Sequence, residues 1–322
     1  MNLSYFIILL YMILNNVNRL PFKSKIKRET IAPGLFIPKW RDERGYTLKY
    51  SKGNTKSSVC ILFVHGGGFT EDQPRSGSYD SFGYMLTNQT NYDTYIPDYT
   101  LAPDKQFPTQ IIELLQIAQL LKEKYSRIIL GGDSAGGTIA LQMLFAKPEL
   151  FYSGFVISAW IDLDCNNKSY YTRAWNEKTK SGDPIFKENP KKEIKDSRKE
   201  ALKYLGKQSL FNDPIGNPIK ATNTMLKKLP PCLFLIGDSE IIRDGTLKLA
   251  ARAQQVNNNI FVCLYDNMWH DWPLYSQKSS KKYGVHAINT VTSFCKVQKR
   301  GNTFKFEIKD KEPLTLKCNI II

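Results

Sequence analysis

No C-x-x-C pair occurs among the six cysteines, and the 322 residues hold only three histidines, none of them near a cysteine cluster. Zinc-type spacing is therefore missing, and a metal site is disfavoured. Cys60, Cys232 and Cys263 lie inside apolar runs that read as buried strands, where a free thiol behaves as a small hydrophobe. A disulfide scaffold is disfavoured for the same reason. No internal repeat is evident. No aromatic signature of an RNA-binding module accompanies the basic residues, so no nucleic-acid partner is expected.

Acidic residues are scarce against basic ones, 30 against 45, which leaves a formal charge of +15. Such a charge would suit an anionic partner surface. The lysines are nevertheless spread through 23–56, 168–207 and 278–317 among many asparagines, and they read as a solvated surface. A run of the roughly 20 apolar residues that a spanning helix needs is also lacking. The N-terminal stretch NLSYFIILLYMILNNVN has an apolar core of about a dozen residues, the length of a signal-peptide core. It lacks the basic flank and the A-x-A-like cleavage site of one. Residues 1–40 thus carry three readings: a lid helix, a signal peptide, or a membrane anchor through residues 3–17. Endomembrane or secretory, membrane-associated and cytoplasmic locations all stay open with them.

What is present fits one large α/β domain or two small ones, with 42% hydrophobic residues to fill a core. Short apolar runs, VCILFVH (59–65), TYIPDY (94–99), RIIL (127–130), GFVISAW (154–160), CLFLI (232–236) and IFVCLY (260–265), read as strands. Between them, Pro108–Ser126, AGGTIALQMLFA after Ser134, GTLKLAARAQQV (245–256) and VHAINTVTSFCKV (285–297) have helical patterning. Strands separated by helical crossovers predict a mainly parallel sheet covered on both faces. Residues 165–229 break the rhythm. They are charged, rich in Lys and Asn, and too long for a plain loop, so they read as an inserted helical lid within a domain spanning 41–300. The tail 301–322 has the composition of a small β-ribbon and no assignable chemistry.

One stretch carries chemistry. GGDSAGG (131–137) contains G-x-S-x-G, three fixed positions that arise by chance in roughly one chain in ten of this length. Context decides its meaning, and here a strand enters Ser134 and an apolar helix leaves it. Glycines at 132 and 136 would let the backbones of a tight turn approach each other. A nucleophilic serine needs a base downstream of it, which excludes His65. His286 sits mid-helix, so His270, in the loop NMWHDWP after the last strand, is the candidate. The acid that fixes the imidazole tautomer should follow CLFLI, where GDSEIIRD offers Asp238, Glu240 and Asp244. Asp244 reads as the N-cap of the next helix, and spacing does not separate the other two. For the oxyanion, HGGGF (65–69) supplies unobstructed N–H groups at Gly66 and Gly67, with Gly68 a further candidate and Ala135 a third contributor.

HGGGF, DYTLAP (98–103), GDSAGG (132–137), SAWIDL (158–163) and MWHDW (268–272) occur in an order that resembles the hormone-sensitive-lipase-like branch of the α/β-hydrolases, across roughly 59–275. The resemblance implies the α/β-hydrolase fold, hydrolysis of carboxylic esters, often with short acyl chains, and a site without cofactor or metal. It also implies a lid built partly from the N-terminal segment. Ser134, His270, Gly66 and Gly67 match its motifs, and His65 becomes a structural support of the loop. Glu240 stands where most members have aspartate, with Asp238 as the alternative, and Thr100 stands where arginine is commoner. The implied substrate is a small-molecule ester or lipid; an arylformamidase-type amide hydrolase and a non-catalytic receptor on the same fold are the competing readings.

Overall fold

The computed structural model describes residues 26–31, 45–53, 57–186, 189–275, 281–297 and 318–320. The apolar N-terminal run and most of the tail lie outside the described residues. Nine strands among the described residues build one sheet: β1 (Lys27–Ile31), β2 (Thr47–Ser51), β3 (Val59–Val64), β4 (Asp93–Pro97), β5 (Arg127–Asp133), β6 (Ser153–Ile157), β7 (Cys232–Gly237), β8 (Ile260–Tyr265) and β9 (Cys318–Ile320). Their order is β1-β2-β4-β3-β5-β6-β7-β8-β9. From β4 across to β8 every pairing is parallel, while β1, β2 and β9 join antiparallel at the edges.

The apolar runs are explained by burial on both faces. Cys60, Leu62 and Val64 of β3 enter one core, and Val59, Ile61 and Phe63 enter the other. The first core packs against α2 (Thr109–Lys122), α3 (Ser134–Ala146) and α7 (Arg243–Gln254) through Leu114, Ile139 and Leu249. On the opposite face lie α1 (Gly77–Thr90) and α8 (Lys281–Cys295), contributing Phe82, Leu86, Ile288 and Phe294. Each such side chain contributes about 1.5–3 kcal/mol on full burial. The expected strand 154–160 stops at Ile157, because Ser158 turns into the left-handed region at φ 48°. Of the tail, β9 is described, and it pairs antiparallel with β8.

Between β6 and β7 runs the insertion, with α4 (Ser169–Thr172), α5 (Pro190–Leu205) and α6 (Asn223–Lys228). Local chemistry fixes the ends of α5. The Asn189 side chain accepts from Lys191 N at the start, Pro190 opens the helix, and Gly206 closes it at φ 78°. Ahead of α5 a hairpin turns back on itself, with Asp183 N donating to Arg173 O (2.7 Å) and Asn176 N to Ser181 O (2.9 Å).

Candidate active site

At the carboxyl edge of the sheet β5 meets α3 in a turn that holds Ser134 at φ 48°, a left-handed conformation rare for a non-glycine residue. Its carbonyl accepts from Trp160 N at 3.0 Å. Two glycines make the turn feasible: a Cβ at Gly132 would lie 2.5 Å from Gly136 O, and one at Gly136 would lie 2.2 Å from Val64 O. The serine hydroxyl thereby projects beyond the sheet at the positive end of α3.

Three side chains from three strand ends meet there. Ser134 Oγ lies 2.9 Å from His270 Nε2, and His270 Nδ1 lies 3.1 Å from Glu240 Oε2. Glu240 is fully buried, and its Oε1 accepts from Gly237 N (2.6 Å) and Ser158 Oγ (2.7 Å). Asp238 is directed elsewhere, paired with Arg243 (2.6 Å) and with Arg173 of the insertion (3.1 Å). Asp244 is not an N-cap: Ile242 holds that position, and Asp244, the second residue of α7, accepts from Ser169 N at 3.0 Å. His286, on α8, is hydrogen-bonded to Tyr265 OH of β8 at 2.9 Å and takes no part in the constellation. His65 stacks on Tyr99 at 4.4 Å, with Nδ1 2.9 Å from Gly66 O, beneath the glycine loop.

The loop after β3 corrects one oxyanion assignment. Gly66 N–H is committed to Tyr79 OH (2.8 Å) and Asp133 Oδ1 (3.0 Å), and Tyr79 OH in turn donates to Asp133 Oδ2 (2.8 Å). Gly67 and Gly68 take φ values of 101° and 60°. Among the described residues neither N–H makes a hydrogen bond, and a Cβ at Gly68 would meet nothing within 4 Å. Gly67, Gly68 and Ala135 at the start of α3 therefore offer the available N–H groups.

Sequence reasoning missed three carboxyls around the imidazole. Asp271 Oδ2 lies 3.1 Å from His270 Nε2, and Asp183 Oδ1 accepts from His270 N at 3.4 Å. Asp133 braces the glycine loop from below. Burial pushes Asp133 and Asp183 up to about 7, and it raises Asp271 well above the carboxylate range. Burial opposes charge on His270 as well, but Asp271, the Glu240 hydrogen bond and Asp183 outweigh it and push the imidazole up to about 10. Asp271 was visible as the neighbour of His270; Asp183 sits in patternless chain and carried no signal. Thr100 has its own partner, donating from Oγ1 (2.6 Å) and from its backbone N (3.0 Å) to Glu113 of α2.

The insertion touches both halves of the site. Tyr204 of α5 stacks on Phe69, next to the glycine loop, at 4.0 Å and 6°. Phe186, beyond the hairpin, meets the His270 ring edge-on at 5.8 Å. Among the described residues no group of three or more His, Cys, Asp or Glu side chains stands ready to hold a metal, and no helix is long and apolar enough to cross a membrane.

A sequence model described as the alpha/beta hydrolase fold matches residues 61–274, so the chain belongs to the α/β-hydrolase fold family. A crystal structure of an esterase from the bacterial hormone-sensitive lipase family superposes with a TM-score of 0.67 at 24% identity, covering 85% of each chain. An esterase of Acinetobacter venetianus is 26% identical over 235 residues, 70% of this chain and 71% of that protein. The acetyl-hydrolase of Streptomyces hygroscopicus is 25% identical over 236 residues, 71% of this chain and 73% of that protein.

Proposed function

We propose that this carboxylic-ester hydrolase works through an acyl-enzyme on Ser134, on small-molecule esters with short acyl groups. One observation carries the reading: the continuous relay Ser134 Oγ, His270 Nε2, His270 Nδ1, Glu240 Oε2, with steps of 2.9 and 3.1 Å across the ring. His270 takes the serine proton as Oγ attacks the ester carbonyl, and Glu240 holds the Nδ1–H tautomer and offsets the imidazolium charge. The N–H groups of Gly67, Gly68 and Ala135 receive the oxyanion, each worth roughly 3–4 kcal/mol of barrier. His270 then protonates the departing alcohol, and water repeats the sequence to release the acid.

The insertion, residues 165–229, acts as the lid. Its Tyr204 and Phe186 pack on the glycine loop and on the histidine, which supports a short acyl pocket beneath it. The name of one relative, the acetyl-hydrolase, agrees with a short acyl group. The test is a panel of p-nitrophenyl esters of increasing acyl length, with acetylated sterols and N-formylkynurenine alongside, on wild type and Ser134→Ala. Turnover highest for acetyl and butyryl esters and abolished by the substitution is expected; equal turnover by Ser134→Ala, or preference for the formamide, would overturn the proposal.

A further inference from the structure

We propose that Asp271 holds the water that releases the acyl group from Ser134. The assignment rests on the relay above and adds a fourth side chain to the second half of the reaction. Asp271 is a buried residue whose backbone sits at φ 55°, a left-handed conformation for a non-glycine. That conformation is held by its N–H donating to Ser158 Oγ (3.1 Å), the hydroxyl that donates to Glu240, and by Leu274 N donating to Asp271 O (3.0 Å). The carboxyl is thus built into the same hydrogen-bonded frame as the acid of the relay. Its Oδ2 reaches His270 Nε2 at 3.1 Å, the same nitrogen that Ser134 Oγ reaches at 2.9 Å. Its Oδ1 is buried and has no hydrogen-bond partner among the described residues. A buried carboxyl oxygen without a partner is costly, and here it lies on the residue that touches the reacting nitrogen.

The acyl-enzyme supplies the missing partner. Once Ser134 carries the acyl group, its oxygen has no proton to donate, and the Nε2 lone pair is open to water. Water has two O–H groups. One donates to Nε2, and the second needs an acceptor beside that nitrogen, which Asp271 provides. The water oxygen bonds to the acyl carbon as its first proton passes to Nε2. Collapse of the intermediate breaks the bond from carbon to Oγ, Oγ takes the proton back from Nε2, and the carboxylic acid leaves. Asp271 gains no net proton; it fixes the direction of attack by holding water at two points.

Asp271→Gly removes the carboxyl while suiting the backbone at φ 55°, and Asp271→Asn keeps an acceptor oxygen. With p-nitrophenyl acetate, Asp271→Gly should lower kcat roughly 10²-fold. Because kcat/KM reports acylation, and loss of Asp271 lowers the His270 pKa and leaves more neutral ring at pH 7, kcat/KM should hold or rise, and a burst of nearly one p-nitrophenolate per fluorophosphonate-reactive site should appear. Methanol carries a single O–H, so the ratio of methyl ester to free acid in added methanol should rise. Asp271→Asn should recover most of the loss in kcat. Equal falls in kcat and kcat/KM, or an unchanged methanol-to-water ratio in the Gly variant, would overturn the assignment and leave Asp271 a loop brace. Failure of wild type to label at Ser134 would instead undo the relay itself.

Discussion

Replacing Glu240 by glutamine tests the relay through its tautomer. Glu240 Oε1 accepts from two donors, Gly237 N and Ser158 Oγ, while Oε2 faces His270 Nδ1. In the variant the amide oxygen must face the two donors, because an NH₂ group there would oppose the Gly237 N–H. Ser158 cannot readily turn its proton away either, since its oxygen already accepts from Asp271 N. The NH₂ group is left pointing at His270 Nδ1, which must then become the acceptor. That forces the proton onto Nε2, where the serine proton has to go. Geometry survives and basicity is lost, so kcat should fall roughly 10⁴-fold, about 5.5 kcal/mol of barrier at about 1.36 kcal/mol per decade. Asp238→Asn breaks only part-exposed pairs with Arg173 and Arg243, worth up to about 1 kcal/mol of stability. Its kcat should stay within about threefold of wild type. Steady-state hydrolysis of p-nitrophenyl acetate, normalised to fluorophosphonate-labelled sites, decides the matter. A Glu240→Gln enzyme within tenfold of wild type, or an Asp238→Asn enzyme damaged as badly, would refute the reasoning.

The raised His270 pKa has a definite sign: only the neutral ring is a base, so kcat/KM should climb from pH 7 toward about 10 rather than level off near neutrality. The folded protein favours the charged ring, so the stability this charge contributes is complete below the ordinary histidine value and is lost as pH rises through about 10. A pH profile of kcat/KM that is flat above pH 7 would contradict both statements. Gly136→Ala places a Cβ 2.2 Å from Val64 O and 2.3 Å from His65 O, backbone atoms that cannot yield cheaply; chemical denaturation should register a loss of about 3 kcal/mol together with lost Ser134 labelling. Tyr204→Phe keeps the ring on Phe69 but leaves the buried Gln142 Oε1 without the donor now at 2.6 Å. Stability should drop by about 1–3 kcal/mol, with kcat nearly unchanged.

Parallel strands buried on two faces leave an almost purely apolar signature, which is why β3, β5, β7 and β8 could be read from single runs of residues. The polar edge strand β1, KRETI, left no such trace, because it is mostly exposed and owes its place to pairing with β2. Ser134 and His270 were readable because a turn between strand and helix has its own local chemistry, and because only one downstream histidine lay in a loop. Asp238 and Glu240 stand two residues apart in one turn, so the choice between them depended on which side chain that turn aims at a ring carried by another strand. Gly66 was lost as an oxyanion donor to Asp133, 67 positions away along the chain, and Asp183 reached His270 from 87 positions away. By itself the sequence determined the central strands β3 to β8, their helical crossovers and the strand–turn–helix that carries Ser134, since each rests on neighbours within a few residues. The meeting of Glu240 with His270, the N–H groups left free after β3 and the carboxyls around His270 were decided by the tertiary structure alone, because they depend on distances between segments that no local pattern records.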